Sequence, residues 1–183
     1  MSNRLYRNQV KLLLSVLPII AEYKYLALYG GTAINLFIRN LPRLSVDIDL
    51  TYTEIQEWEP SLAKINELLG KFRARILDII PNTSARHDQK SCKLFVSNTH
   101  AQIKIEVNKV KRGLLGNARL LGLCEKAQDD FDTYCEIPVM PLGQLYGSKL
   151  CAALDRQHPR DLFDTKYILE DEGFSDEIKP DFC

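Results

Sequence analysis

Lysine plus arginine and aspartate plus glutamate number 24 each in this chain of 183 residues, so its formal net charge is zero. That balance gives no general reason to expect a nucleic-acid or membrane partner. Five cysteines without a CxxC pair argue against both a disulfide framework and a zinc site. No apolar run approaches the roughly 20 residues of a membrane span, and the N-terminus lacks a signal-peptide cleavage pattern. We therefore expect a protein of a reducing cytoplasm, with no membrane partner.

The first third of the chain predicts a helix, a strand, a helix and a strand. Apolar residues at helical spacing predict an amphipathic helix over 3–17 that ends at Pro18. The segment 23–29 is extended and leads into two glycines, and a second helix follows and ends before Pro42. Residues 44–52 alternate as a strand, with apolar side chains on one face and Ser45, Asp47 and Asp49 on the other.

The remaining elements alternate between helices and strands that pair locally. The pattern predicts a helix over 60–79, a loop over 81–91, strands over 92–98 and 101–110, an irregular or weakly helical stretch over 113–132, a strand over 135–140, and helices over 144–154 and 160–170. Local strand pairing mixed with helices favours an α+β (mixed α/β) fold with a mixed sheet flanked by helices. We expect one domain, 1–183, with a short helical C-terminal part at about 141–183.

Asp47 and Asp49 are the first candidate site residues, because acids are rare in a strand whose other face is buried. Alternation puts both carboxylates on one face, roughly 7 Å apart at about 3.3 Å per residue. Two unpaired anions repel, and Mg²⁺ or Mn²⁺, which prefer hard oxygen ligands, would remove that cost. Glu106 has the parity to add a third carboxylate, and three acids can hold the two ions of phosphoryl transfer. For the aspartates alone, a strand end that turns into solvent is the alternative.

Gly30 and Gly31 form the second candidate feature, at the junction of a strand and a helix. Glycines let a backbone approach a ligand closely, and the N–H groups of a helix N-terminus bind phosphate oxygens. A tight turn without a ligand is the alternative. Since the turn and the aspartate strand should lie side by side, the two features together predict one site for metal and phosphate.

The stretch GGTAINLFIRNLPRLSVDIDL, residues 30–50, closely resembles the opening motif of the polymerase β-like nucleotidyltransferases in the form used by the AbiEii/AbiGii toxin family. The residues that carry this resemblance are Gly30, Gly31, Thr32, Ala33, Arg43, Ser45, Asp47, Asp49 and Leu50. Further on, IKIEVN resembles the strand that bears the third carboxylate, here Glu106. KLCAALDRQHPRDLFD resembles the late motif of the family and supplies Lys149, Arg156, Arg160 and Asp161.

The resemblance implies a polymerase β-like fold and a metal-dependent nucleotidyltransferase. Asp47, Asp49 and Glu106 would bind two ions, Mg²⁺ or Mn²⁺, and Lys149 and Asp161 would complete the catalytic set. The nucleoside triphosphate would be held by the residues Gly30, Gly31, Thr32, Arg43, Ser45, Lys149, Arg156 and Arg160. A lysine and an arginine suit that role, as a point charge and a planar fork for phosphate oxygens.

The resemblance also implies a toxin with a cognate antitoxin, and an RNA such as tRNA as the acceptor. Two local basic clusters, at 71–75 and 104–112, are typical of solvated faces but would suit such an acceptor. Family members continue further beyond the Arg-Asp pair, so we expect a short or truncated relative.

Two alternatives remain open. The first is a non-catalytic nucleotide-binding partner with the same fold, and the second is a metal-dependent nuclease that uses the same three acids. The three histidines, at positions 87, 100 and 158, share no ligand spacing and are interpreted as surface residues.

Overall fold

Seven strands form one mixed sheet in the computed structural model, which describes residues 2–171. The strands are β1 (Leu26–Tyr29), β2 (Asp47–Tyr52), β3 (Ser84–Asp88), β4 (Lys93–Ser97), β5 (Gln102–Asn108), β6 (Arg119–Gly122) and β7 (Glu136–Val139). They lie in the order β3-β4-β5-β2-β1-β7-β6. The β2–β5 and β1–β7 pairs are parallel and the other neighbours are antiparallel.

The helices connect and cover these strands. They are α1 (Ser2–Ala21), α2 (Gly30–Ala33) with a π-helical continuation (Ile34–Ile38), α3 (Trp58–Ile79), α4 (Glu125–Phe131), α5 (Leu142–Arg156) and α6 (Pro159–Asp171). This mixed sheet with flanking helices confirms the predicted fold class. Within the described residues, no helix is long and apolar enough to cross a membrane.

One face of the sheet carries the hydrophobic core. Ile48 and Leu50 on β2 and Ile103, Ile105 and Val107 on β5 are at most 2% exposed. Helices α1 and α3 pack against this face. Because strand side chains alternate, the polar residues between these apolar ones all emerge on the opposite face. The sequence predicted this segregation for both strands.

The predicted end of the first helix at Pro18 is wrong, because α1 continues to Ala21. Proline removes one backbone donor and crowds the preceding turn. Here the Pro18 ring points to solvent, and one more helical turn buries Ile19 and Ile20. Burial of two isoleucine side chains, at about 1.5–3 kcal/mol each, outweighs the lost hydrogen bond.

Two further expectations are also corrected. The predicted loop over 81–91 contains β3, an edge strand whose residues show no apolar alternation because neither of its faces is fully buried. The stretch over 113–132, predicted as irregular or weakly helical, contains the short helix α4 but also the second edge strand, β6, which was not predicted. Edge strands are held by backbone pairing with one neighbour, so their side chains show little of the apolar alternation from which a strand is predicted.

The remaining elements agree with the prediction to within a few residues. The expected C-terminal helical part contains α5 and α6, and its last residues, 172–183, lie outside the described part of the chain.

Candidate active site

The acidic residues meet where β2 and β5 run side by side. These strands pair in parallel, with Asp49 opposite Glu106 and Asp47 opposite Lys104. Asp47 and Asp49 alternate with buried Ile48 on β2, so both carboxylates lie on the polar face of the sheet, as predicted. Glu106 lies on that same face, as its parity in the strand predicted.

The three carboxylates differ in their electrostatic surroundings. Burial raises the pKa of Asp49 from 3.8 to about 6, and the negative charges of Asp47 and Glu106 add to this effect against the opposing charge of Lys104. Glu106 is instead neutralised by two ammonium groups, at 2.9 Å from Lys104 Nζ and 3.3 Å from Lys93 Nζ. Burial opposes ionisation of Glu106, but these ion pairs outweigh it and lower the pKa of its carboxyl.

The glycine turn lies directly against the acids. Gly30 has a φ of +73°, and a Cβ placed there would lie 2.7 Å from Asp49 Oδ2. A Cβ on Gly31 would lie 2.8 Å from Arg43 Nη2. Gly30 needs to be glycine because its backbone is left-handed, and a Cβ at either position would displace the neighbouring side chain. The turn therefore brings bare backbone beside a carboxylate and a guanidinium.

Thr32 lies one layer behind the glycines. It is fully buried, and its Oγ1 lies 2.9 Å from Ser45 Oγ and within hydrogen-bond distance of the backbone carbonyl of Asp47. Its hydroxyl therefore ties α2 to the segment that enters β2. The buried position of Thr32 does not favour the predicted contact with a triphosphate, which stays a prediction.

A buried ion-pair network joins α5 and α6 to the segment before β2. Lys149 of α5 is 8% exposed, and its Nζ lies 2.8 Å from Asp161 Oδ1 and 3.0 Å from Asp164 Oδ2 on α6. Arg43 forms a bidentate ion pair with Asp164, in which Nε donates to Oδ1 at 2.8 Å and Nη2 donates to Oδ2. Arg156 Nη2 lies 2.9 Å from Asp161 Oδ2.

Charge pairing keeps both aspartates of this network ionised. Burial disfavours the charged form of each, but Lys149 and Arg156 lower the pKa of Asp161, and Arg43 and Lys149 lower that of Asp164. The network thereby fixes the positions of Lys149 and Arg43, whereas Arg156 extends into solvent with 66% of its side chain exposed.

These parts enclose one cleft of about 330 Å³. The predicted site residues that line it are Gly30, Gly31, Arg43, Ser45, Asp47, Asp49, Glu106, Lys149, Arg156, Arg160 and Asp161. Thr32 is the one predicted site residue outside this lining. Acids from the sheet and cations from α5 and α6 thus share a single open space.

Residues 11–182 match the family model described as nucleotidyl transferase AbiEii toxin, type IV toxin–antitoxin system. The chain belongs to the AbiEii nucleotidyltransferase toxin family. The match confirms the resemblance seen in the sequence motifs. No curated protein matches the chain in sequence.

A solved structure with a similar fold is MenT4, a nucleotidyltransferase toxin from Mycobacterium tuberculosis H37Rv, with a TM-score of 0.70 and 15% sequence identity. The superposition covers 97% of this chain and 62% of the MenT4 chain. The likeness at this identity shows the fold, and this AbiEii family chain spans less than two thirds of the MenT4 chain.

Sequence reasoning missed three residues of the site in this family member. Asp164 lies one helical turn after Asp161, a spacing that puts both acids on one face of α6 and was available as a signal. Lys104 has the same strand parity as Glu106. Tyr29 lines the cleft just before the glycines, and burial together with Asp49 raises the pKa of its hydroxyl to about 12. His158, interpreted as a surface residue, is exposed and also lines the cleft.

Proposed function

We propose that this AbiEii family chain transfers a nucleoside monophosphate from a nucleoside triphosphate to a hydroxyl acceptor. The observation that carries the proposal is the shared cleft, in which Asp47, Asp49 and Glu106 face the cations of α5 and α6. A hydroxyl would attack the α-phosphate in line, and pyrophosphate would leave. Membership of a nucleotidyltransferase toxin family supports this reaction class.

The donor set of the cleft suits divalent metal ions. Asp47 and Asp49 offer hard oxygen ligands, and the raised pKa of Asp49 marks an anion whose charge the protein itself leaves poorly compensated. Among the described residues, no three histidine, cysteine or acidic side chains converge closely enough to hold an ion as they stand. As the third ligand, Glu106 would exchange its ion pairs with Lys93 and Lys104 for the metal ion.

We assign two ions, Mg²⁺ or Mn²⁺, to Asp47, Asp49 and Glu106. When bound, such a pair would supply stabilisation of the attacking and leaving oxygens. The chain itself would bind and orient the triphosphate. Gly30 and Gly31 would bring bare backbone to the phosphates.

Cations held in the α5–α6 network would contact the same phosphates. Lys149 has three N–H donors, of which two reach Asp161 and Asp164, so one remains for a phosphate oxygen. Arg43 is fixed by Asp164 beside Gly31. Arg156 and Arg160 line the outer part of the cleft, where exposed guanidinium groups can follow a flexible triphosphate.

For the acceptor we propose an RNA, such as tRNA, and for the partner a cognate antitoxin protein. Membership of a toxin–antitoxin family supports the second assignment. With these assignments we propose a cytoplasmic location, where triphosphates and RNA are available.

The test is incubation with each α-³²P-labelled nucleoside triphosphate, Mg²⁺ and total RNA. We expect wild-type protein to move label onto RNA and the Asp47→Ala, Asp49→Ala double variant to lose this transfer. Asp78→Ala removes an exposed acid of α3 far from the cleft and should behave as wild type.

Two results would replace this proposal with another. Nucleotide binding that depends on Mg²⁺ without any transfer would favour a non-catalytic binding partner. Cleavage of RNA without added triphosphate would favour a nuclease.

A further inference from the structure

We propose that the open face of strands β3, β4 and β5 binds a single-stranded segment of the RNA acceptor and leads its hydroxyl end to the acids. The inference rests on the proposed function and adds the surface that the acceptor uses. The surface consists of Arg86, Phe95, Lys93 and Lys104, and we call it the acceptor track.

Strand register aligns Arg86, Phe95 and Lys104 into a row that ends at Asp47, and Lys93 lies beside this row, opposite Glu106. Asp47 lies opposite Lys104, Lys104 lies opposite Phe95, and Phe95 lies opposite Arg86. All four side chains therefore lie on the same face of four adjacent strands. At about 4.8 Å between strands, the row runs roughly 14 Å from the edge of the sheet to the aspartates.

The row is accessible to a ligand over this length. Helices α1 and α3 cover the other face of these strands. Arg86 is exposed, and Lys93 and Lys104 each keep about a third of their side chain in solvent, at 30% and 31%. Phe95 is half-buried, so each of the four side chains of the track keeps part of its surface in solvent.

The chemistry of the row matches unpaired RNA. The Arg86 guanidinium lies 4.4 Å from the centre of the Phe95 ring and is exposed, so it can receive a base from the solvent side. Single-stranded RNA is bound by stacking of its bases on aromatic rings and guanidinium planes, combined with cations along its backbone. A duplex hides the faces of its bases and could not use this stack.

The carboxylate of Glu106 pairs with both ammonium groups of the acceptor track. Lys93 and Lys104 both contact its carboxylate in this structure. If Glu106 bound a metal ion, both lysines would lose that partner and would be available to acceptor phosphates. The track is thus coupled to the site through one carboxylate.

The basic cluster at 71–75 offers no comparable surface. Lys71 pairs with Glu67, Arg75 pairs with Asp78, and Arg73 donates to the backbone carbonyl of Ala85. Arg75 is an exposed arginine of α3, on the helix layer that covers the opposite face of the sheet. It is therefore a matched control for Arg86.

The test measures fluorescence anisotropy of a labelled single-stranded RNA oligonucleotide with full-length protein, in chelator and without nucleotide. We expect Arg86→Ala to weaken binding about tenfold, since loss of a stacking and charge contact has this order of effect. Arg86→Lys should recover only part of the lost affinity, because lysine keeps the positive charge but lacks the planar guanidinium on which a base stacks. Arg75→Ala should stay within about twofold of wild type, as expected for a surface change away from the track.

A second variant tests the coupling to the acids. Glu106→Gln removes the anion from Lys93 and Lys104, so RNA binding should become several times tighter while transfer is lost. A merely structural role of Glu106 predicts no gain in RNA affinity. Thermal unfolding of each variant checks that the fold is kept.

The inference fails if Arg86→Ala and Arg75→Ala have equal effects, if duplex RNA binds as well as single strands, or if Glu106→Gln does not tighten binding. These measurements need no turnover, so they separate the track from the reaction. If transfer persists and Arg86→Ala leaves the affinity for RNA unchanged, the track is excluded and the proposed function is kept. If Arg86→Ala weakens RNA binding but the wild-type protein transfers no label, the track is kept and the proposed function is excluded.

Discussion

Asp49 is held in surroundings that disfavour its charge. Burial, with Asp47 and Glu106 nearby, raises its pKa from 3.8 to about 6. The folded state therefore binds this proton more tightly than the unfolded chain does, and stability falls as the pH rises through that interval. The penalty is absent below about pH 4 and complete above about pH 6, where it reaches about 3 kcal/mol at most.

We therefore expect Asp49→Asn to stabilise the metal-free protein while it abolishes metal binding. The free energy of unfolding should rise by about 1–3 kcal/mol at pH 7 in chelator, and the gain should vanish below about pH 4. Urea unfolding at several pH values measures this, with exposed Asp78→Asn as the control. A less stable Asp49→Asn protein at pH 7 would contradict the electrostatic account.

Replacement of Gly30 by alanine tests the close approach of the glycine turn to the carboxylate of Asp49. Alanine at this position must adopt a φ of +73° and displace Asp49 Oδ2, which would lie 2.7 Å from its Cβ. We expect a loss of about 1–3 kcal/mol in unfolding free energy from backbone strain, and loss of nucleotide binding.

The matched change is Gly70→Ala within α3, where a Cβ meets no atom within 4 Å. It should stabilise the protein by about 0.5–1 kcal/mol through helix propensity. Chemical denaturation of both variants checks the pair. Equal effects would show that the turn is not tightly constrained.

At the scale of elements, Asp164 joins α6 to α5 and to the segment before β2. Its carboxylate is almost fully buried and contacts Arg43, Lys149 and Asn35. Loss of one charge from a buried ion-pair network leaves the partner cations uncompensated.

We expect Asp164→Asn to cost about 3 kcal/mol of stability and to weaken nucleotide binding, because Arg43 and Lys149 lose their anchor. Asp155→Asn, an exposed position on α5, should change stability by less than about 0.5 kcal/mol. Thermal unfolding with nucleotide titration of both variants measures the two effects. Unchanged nucleotide affinity in a folded Asp164→Asn protein would remove its positioning role.

Elements with strong local periodicity could be predicted from the sequence, and edge elements could not. The strands around Ile48 and Ile105 alternate cleanly because one face of each is fully buried. By contrast, β3 is held at the sheet edge by backbone pairing with β4, which its side chains do not encode. The continuation of α1 past Pro18 depends on a core that receives Ile19 and Ile20, a tertiary effect.

The candidate site divides in the same way. The acids and glycines could be found by parity and spacing, since both are local properties of one strand or turn. Lys93, one of the two lysine partners of Glu106, is brought there by the pairing of β4 with β5, and the role of Asp164 depends on the packing of α6 against α5. Such partnerships arise between elements that are distant in sequence.

At the scale of the whole molecule, the strand order explains why the site is where it is. The acid-bearing strand β2 lies between β5 and β1 in the middle of the sheet, so its polar face receives Glu106 from one side and the glycine turn from the other. Helices α5 and α6 then add the cations. A sheet that supplies acids and a helix pair that supplies cations thus form the cleft to which we assign the proposed transfer.

The most direct measurement of this account follows both ends of the triphosphate in one reaction. Protein is incubated with Mg²⁺, RNA and a nucleoside triphosphate labelled on the α-phosphate in one sample and on the γ-phosphate in another. The account predicts that α-label appears on the RNA in a one-to-one ratio with γ-label in pyrophosphate, and that both vanish in the Asp47→Ala, Asp49→Ala variant. Release of γ-label as free phosphate, or RNA cleavage without α-label incorporation, would contradict it.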